Sequence, residues 1–267
     1  MTVSVTKLAA INPVVIKLSG AAVEEAKVIA DLMQAVAELH AQQPVVLVHG
    51  GGKQVDQHLQ QWHMPVVKKN GLRVSPPEQM PVITAVLAGQ VNKTLVAAAK
   101  KAGLNAVGLS LADGDTASCT PHPDAELGAV GTVKAGAGSV LKSLLNAGAL
   151  VIVSSIAVDA SGQLRNVNAD DAAVAIAAAV NAEQLLLLSD VAGVRLADGN
   201  YAPSLTAAEI DQLIQDGTIS GGMIAKVRAA LDAAATLLKP VTIASFFDPT
   251  KLRRLRSDAS FGTTVRL

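Results

Sequence analysis

The chain has 267 residues, with 22 Lys and Arg against 22 Asp and Glu, so its formal net charge is zero; half of its residues are hydrophobic and 2% are aromatic. Zero charge and a stock of three Phe, one Tyr and one Trp exclude a protein that tracks a nucleic-acid backbone or stacks bases. A charged fraction of 16% excludes a disordered chain. The length suits one large α/β unit or two modest lobes, burying roughly three-quarters of the unfolded surface. Cys119 is the lone cysteine, so no internal disulfide is possible, and without a basic microenvironment it reads as an inert thiol. Met1 to Ala10 lacks the basic-then-apolar order of a targeting segment, and the longest apolar stretches, 172–180 and 185–188, fall short of the roughly 20 residues that span a bilayer. A soluble, cytoplasmic protein is expected.

Short β-branched runs alternate with longer helical patterns, the order that builds βαβ units and a mostly parallel sheet. Val14-Val15-Ile16 predicts a first strand and Pro44-Val45-Val46-Leu47-Val48 a second. Between them Ile29, Leu32, Met33 and Val36 recur at i, i+3, i+4 and i+7, so residues 23–40 form an amphipathic helix. An Asn70-Gly71 step between Val66 and Val74 favours a type I′ hairpin. Residues 78–102 read as helix and Ala106-Val107-Gly108-Leu109 as a buried strand. Residues 111–138 are dominated by Gly, Asp, Pro and Thr and read as a loop and hairpin excursion, with only short extended pieces at Val130 and Val133. A helix over 139–146 closes at Gly148; a strand over 150–156 follows, and Asp159-Ala160-Ser161-Gly162 supplies turn chemistry. The alanine-rich stretch 170–180 predicts a helix packed closely on a sheet. Residues 185–188 predict a strand, 207–215 and 223–238 helices, and Val241-Thr242-Ile243-Ala244 a late strand. The expected fold is an α/β three-layer αβα sandwich with an open, mainly parallel central sheet, shared by lobes over 1–181 and 182–267.

In such a sheet, ligands collect where strands end and helices begin, because helix N-termini offer free N–H groups and a positive dipole end. Three places match. Val48-His49-Gly50-Gly51-Gly52 follows a strand and precedes a helix; consecutive glycines admit an anion to a nest of backbone amides, or simply make a tight turn. The spacing fits neither a Walker A loop nor G-x-G-x-x-G. His49 reads as a packed strand-end residue rather than a base. In Lys17-Leu18-Ser19-Gly20 a lysine ends a buried strand, where it meets an anion or snorkels to solvent. Gly217-Thr218-Ile219-Ser220-Gly221-Gly222-Met223-Ile224-Ala225-Lys226 is a glycine-rich helix entry whose lysine, about one turn inside, meets an anion or simply faces solvent. Asn166-Val167-Asn168-Ala169-Asp170-Asp171 is dense in polar groups, and Asn168 or Asp170 could simply cap the alanine-rich helix. Ser189-Asp190-Val191-Ala192-Gly193 could be only a turn. Asp113-Gly114-Asp115 lacks further metal ligands and also reads as a turn.

The order of these pieces is more specific than any one of them. Strand-end lysine, strand-Gly-Gly-Gly, Lys69-Asn70-Gly71-Leu72-Arg73-Val74, Asn166 to Asp170, Ser189-Asp190-Val191 and Gly222 to Lys226 together resemble the amino acid kinase family, and within it the branch that phosphorylates N-acetyl-L-glutamate. The resemblance runs from about Val14 to Gly262-Thr263-Thr264-Val265. It implies transfer of the γ-phosphoryl of MgATP to the side-chain carboxylate of N-acetyl-L-glutamate, giving an acyl phosphate in arginine biosynthesis. A carboxylate with pKa near ~4.3 is ionised at neutral pH, so the reaction needs no general base.

By resemblance, Lys17 and Lys226 flank the moving phosphoryl and Asp170 orients both lysines. The amides of Gly20, Gly51 and Gly52 stabilise its oxygens, Arg73 holds the α-carboxylate, and Asn166 holds the acetamido end. Asp190, Val191, Ala192, Gly193, Val194 and Arg195, with Thr218, Ile219 and Ser220, match the ATP-contacting segments. With so few aromatics, aliphatic and backbone groups there would hold the adenine. Mg²⁺ would ride on the nucleotide phosphates, with no dedicated metal site on the protein. The N-terminal lobe would bind the amino acid and form the dimer interface, and the C-terminal lobe the nucleotide. The Lys17-Leu18-Ser19-Gly20 turn also resembles the uridylate kinase branch. N-acetyl-aminoadipate, glutamate and carbamate are further acceptors within the fold, and a non-catalytic sensor is a reading from another class. Retention of Lys17, Lys226 and Asp170 argues against a sensor, which needs no phosphoryl clamp. The segment before Val14 is short and not amphipathic, unlike the helix that builds the family's arginine-inhibited hexamers, so a homodimer insensitive to arginine is expected.

Overall fold

A computed structural model describes residues 11–254 and 261–267; the segment Met1 to Ala10 lies outside the described residues. The strands are β1 (Val14–Leu18), β2 (Val45–His49), β3 (Lys68–Lys69), β4 (Leu72–Arg73), β5 (Ala106–Ser110), β6 (Ala117–Pro121), β7 (Val130–Ala135), β8 (Leu150–Ser154), β9 (Ile156–Val158), β10 (Leu164–Val167), β11 (Gln184–Ser189), β12 (Ser204–Thr206), β13 (Val241–Ser245) and β14 (Thr263–Arg266). The main helices are α1 (Ala26–His40), α2 (Gly52–Gln61), α3 (Pro77–Lys101), α4 (Ser139–Asn146), α5 (Ala169–Ala179), α6 (Ala207–Gln215) and α7 (Gly222–Leu237).

Eight strands form one sheet in the order β12-β14-β13-β11-β1-β2-β8-β5. Every pairing in it is parallel except β13 with β14. The buried strands read as continuous apolar runs because helices cover both faces. Val14, Ile16 and Leu18 of β1 pack on one face with Ile29, Leu32 and Met33 of α1 and Ile83 and Leu95 of α3. Val15, with Val46 and Val48 of β2, packs on the other against Leu141 of α4, Ala172 and Ile176 of α5 and Val227 of α7. Three layers result, as the sequence pattern predicts.

Residues 111–138 contain the hairpin expected there, but its strands run well beyond the short extended pieces expected at Val130 and Val133. β6 and β7 form an antiparallel hairpin, which β10 and β9 extend into a second, four-stranded sheet in the order β6-β7-β10-β9. The strand expected over 150–156 is accordingly two strands, broken at Ser155: β8 stays in the main sheet and β9 turns into the second. Asp113-Gly114-Asp115 is a turn, with Asp113 Oδ2 accepting from Ser110 N at 2.6 Å and Asp115 accepting from Ser139 N at 2.9 Å at the start of α4. The Ser139 hydroxyl and the first amides of α4 hold the Asp115 carboxyl down at about 2. Burial and the nearby Asp159 push the Cys119 thiol up, in keeping with an inert thiol.

α3 is long and apolar enough by composition to cross a bilayer, with a mean hydropathy of 1.4, but its Ile83, Val86, Leu87, Val91 and Leu95 pack into the core under the sheet. Its middle, Ala85–Val91, is wound as a π-helix. Asn70 and Gly71, at φ 52° and 81°, make the β3–β4 turn expected from the Asn-Gly step.

Candidate active site

Strand β1 pairs with β2 on one side and β11 on the other, in parallel and in register, with Leu18 opposite both His49 and Leu188. The chain leaves the sheet in opposite lateral directions from this point, which is where an open α/β sheet leaves a crevice. Three strand exits therefore lie side by side: Ser19-Gly20 after β1, Gly50-Gly51 after β2, and Asp190 after β11. The alternation of β1 places Lys17 on the same face as Val15, towards α5 and α7. Its Nζ lies 2.9 Å from Asp170 Oδ1 in the first turn of α5. Asn168 caps that helix by accepting from Asp170 N at 2.7 Å, which leaves the Asp170 carboxylate for the lysine.

Lys226, one turn into α7, pairs with Asp190 at 2.6 Å and not with Asp170. The single carboxylate expected to orient both lysines is thus replaced by two. The lysine ammonium keeps the Asp190 carboxyl below the ordinary carboxylate range.

The triple glycine is packed tightly. A Cβ on Gly51 would lie 2.8 Å from Leu87 Cδ2 and 3.2 Å from Val91 Cγ2, both in the π segment of α3. A Cβ on Gly20 would lie 3.5 Å from Gly52 N. That amide is in the first turn of α2, among the donors that no helical carbonyl satisfies. His49 is fully buried; its Nδ1 is 2.8 Å from Gly50 O, and its Nε2 accepts from Asn92 Nδ2 at 3.1 Å. The Gly50 carbonyl turned to the ring directs the Gly51 N–H of the same trans peptide away from it. Burial lowers the His49 pKa to about 4, so the ring is neutral at pH 7, with both nitrogens engaged inside the core as a packed strand-end residue.

Two cavities meet over these helix ends. The first, of about 220 Å³, is lined by Gly50, Gly51, Gly52, Arg73, Asn166 and Ala169, among others. Arg73 is almost wholly buried, pairs with Asp56 at 2.5 Å and donates from Nη2 to Gly52 O at 2.8 Å, which ties the β3–β4 hairpin to α2. Asn166 Nδ2 donates to Ser75 Oγ at 3.0 Å. The second cavity, of about 410 Å³, is lined by Lys17, Ser19, Lys53, Asp170, Asp190 and Lys226, with Leu187, Leu188 and Ala225. Adjacent residues face different cavities: Gly52 the first and Lys53 the second on α2, Ala169 the first and Asp170 the second on α5. The positive ends of both helices lie at the boundary, where negative charge crossing from one cavity to the other would be stabilised.

A family model, described as the amino acid kinase family, matches residues 12–245. The chain belongs to the amino acid kinase family. It is 47% identical over 256 residues to a protein of Serratia proteamaculans named acetylglutamate kinase, covering 95% of this chain and 99% of that one. A protein of Vibrio vulnificus with the same name is 48% identical over 255 residues, covering 95% and 96%. Solved structures share the amino acid kinase fold at lower identity. A carbamate kinase from Giardia lamblia is 21% identical, with a TM-score of 0.68 over 97% of this chain and 99% of that one. An N-acetylglutamate synthase from Neisseria gonorrhoeae is 20% identical, with a TM-score of 0.80 over all of this chain and 64% of that one.

The structure brings Lys17, Asp170, Asp190 and Lys226 to one cavity and Gly51, Gly52, Arg73 and Asn166 to the other, with Gly20 against Gly52 between them. Val191, Ala192, Gly193, Val194 and Arg195, with Thr218, Ile219 and Ser220, do not line the second cavity. Val194 and Ile219 are core residues, so only their backbones could meet a nucleotide, while Arg195 and Ser220 are exposed. Sequence reasoning missed Ser155 and Val130 in the first cavity and Lys53 in the second. Val130 arrives through β7 of the second sheet and Ser155 at the break between β8 and β9, and no local motif marks either as a site residue. Lys53 adjoins the triple glycine, and its position one residue into α2 was the available signal.

Proposed function

We propose that this protein transfers the γ-phosphoryl of ATP to the side-chain carboxylate of N-acetyl-L-glutamate, the second step of arginine biosynthesis, with the acid in the Arg73 cavity and the nucleotide in the Lys226 cavity. The observation that carries it is the shared boundary: one cavity is floored by glycine amides and an arginine fork, the other by paired lysines, and two helix N-termini separate them. The Arg73 guanidinium lines this cavity, already held in place by Asp56 and Gly52 O, and supplies the positive charge that suits a carboxylate, while Asn166 supplies an amide for the acetamido group. A carboxylate nucleophile arrives already ionised, so this chain's work is in-line positioning and stabilisation of charge. Lys17, held by Asp170, and Lys226, held by Asp190, neutralise the transferring group from the acceptor and donor sides, and the Gly20, Gly51 and Gly52 amides serve its equatorial oxygens. The fit to a nucleotide polyphosphate rests on the lysine-lined cavity and on Ser19 Oγ, buried beside it without a hydrogen-bond partner. Mg²⁺ would be carried by the nucleotide phosphates, the usual arrangement for a cation that keeps most of its water and takes few protein ligands.

The N-terminal lobe, 1–181, would hold the acid and the dimer contact, and the C-terminal lobe, 182–267, the nucleotide. A cytoplasmic homodimer insensitive to arginine completes the proposal; hexamers by light scattering, or inhibition by arginine, would overturn that part. The activity is tested by incubating the protein with MgATP and each candidate acid in hydroxylamine, which traps acyl phosphates as hydroxamates. Hydroxamate with N-acetyl-L-glutamate alone is the expected result. UMP-dependent ADP release without hydroxamate would overturn the assignment.

A further inference from the structure

The second cavity contains a lysine that the proposed mechanism does not use. Lys53 occupies the second position of α2, directly after the glycine nest, and lines the same cavity as Lys17 and Lys226. A cation at a helix N-terminus is unfavourable, since it faces the positive end of the macrodipole. Here it is compensated by Glu24, from the turn after β1, whose carboxylate oxygens lie 2.9 and 3.2 Å from Lys53 Nζ. The cavity wall thus has three lysines, each with its own carboxylate: Lys17 with Asp170, Lys226 with Asp190, and Lys53 with Glu24. Lys53 also acts on the Asp190 charge across the cavity. Its side chain is about two-thirds exposed and its ion pair lies at the surface, so its ammonium can exchange partners at little cost. Ser19 Oγ, buried and without a partner, lies on the same wall.

We propose that Lys53 is a third lysine of the nucleotide site: it leaves Glu24 when nucleotide binds and contacts the polyphosphate, with Glu24 as its competing anion. The inference rests on the kinase assignment above, and the nucleotide's phosphates are its stated ligand. No bond is made or broken; one ion pair replaces another.

The test is calorimetric titration of the full-length protein with MgAMP-PNP and, separately, with N-acetyl-L-glutamate. One charge-assisted contact at a partly exposed site predicts that Lys53→Ala weakens MgAMP-PNP about fivefold and leaves the affinity for N-acetyl-L-glutamate within about twofold. Glu24→Gln removes the competitor and should tighten MgAMP-PNP about twofold, a change in the opposite direction that loss of a merely structural ion pair would not give. Unchanged MgAMP-PNP affinity in a folded Lys53→Ala variant, or weaker binding by Glu24→Gln, would overturn the role of Lys53 while leaving the kinase assignment standing. Failure of the wild-type protein to bind MgAMP-PNP would overturn both.

Discussion

Lys226 and Asp190 form an ion pair of 2.6 Å between Nζ and Oδ1, so the lysine of α7 is oriented from the end of β11 and not from the helix that orients Lys17. The two lysines are held by separate carboxylates, and their removal should act separately. Asp170→Asn and Asp190→Asn are each expected to lower kcat, and the double variant should be slower than either single variant, because each carboxylate holds its own lysine. A double variant no worse than Asp170→Asn alone would return both lysines to Asp170. Lys226→Ala should lower kcat by about 100-fold or more, with a much smaller change in the KM for N-acetyl-L-glutamate. Hydroxamate formation measured over a range of N-acetyl-L-glutamate concentrations at saturating MgATP gives both constants.

Gly20→Ala separates catalysis from folding. The new methyl would be in ordinary van der Waals contact, 3.5 Å from Gly52 N, so the fold accepts it. It would nevertheless cover an amide that is meant to meet a phosphoryl oxygen. Thermal stability is expected to stay within a few degrees while kcat falls by about 10- to 100-fold. Unchanged kcat would remove Gly52 from the mechanism.

Arg73→Lys keeps the charge but loses the fork. The expected result is a KM for N-acetyl-L-glutamate raised by about tenfold or more, because hydrogen bonds to charged groups contribute about 1.5–3 kcal/mol. The KM for ATP should change little, since Arg73 does not line the cavity proposed for the nucleotide. A rise confined to the KM for ATP would place the acid elsewhere.

Acid should weaken the fold through His49. Its folded pKa of about 4 lies below the ordinary 6.5, so the unfolded chain takes up the proton first as pH falls. Stability is complete above about pH 6.5 and is lost progressively towards pH 4, by about 2 kcal/mol between pH 7.5 and pH 5. His40, lowered by burial, acts in the same direction. Urea unfolding at the two pH values should show a smaller drop for His49→Gln than for the wild-type protein. An equal drop would assign the acid sensitivity to other groups.

The main sheet is legible because its strands are short β-branched or leucine runs buried on both faces, and period-2 alternation even places Lys17 on the α5 and α7 side. The helix over Ala169–Ala179 is legible from its Asn168 cap and alanine content. The second sheet is not. Its β6 is Ala-Ser-Cys-Thr-Pro with Ser118, Thr120 and Pro121 exposed, so no apolar run distinguishes it from loop, and its pairing of Asn166 with Val130 is long-range. Gly51, Gly52, Arg73 and Asn166 were reachable through ordered motifs, whereas Ser155 depends on where a strand breaks between two sheets. The π segment of α3 packs against Gly51, and an apolar 3.6-residue pattern gives no sign of it.

The β1–β11 ladder joins the chain before residue 181 to the chain after it by main-chain hydrogen bonds through the middle of the sheet, and both cores draw on both parts. Leu186, Leu188 and Phe246 pack with Ile16 and Leu32 on one face, and Leu185 and Val227 with Val15 and Val46 on the other. Neither part therefore has a complete interior of its own, and severing the chain near residue 181 would open a bare strand edge and an incomplete core on each fragment. Denaturation should be a single cooperative event, with fluorescence and circular dichroism tracing the same curve.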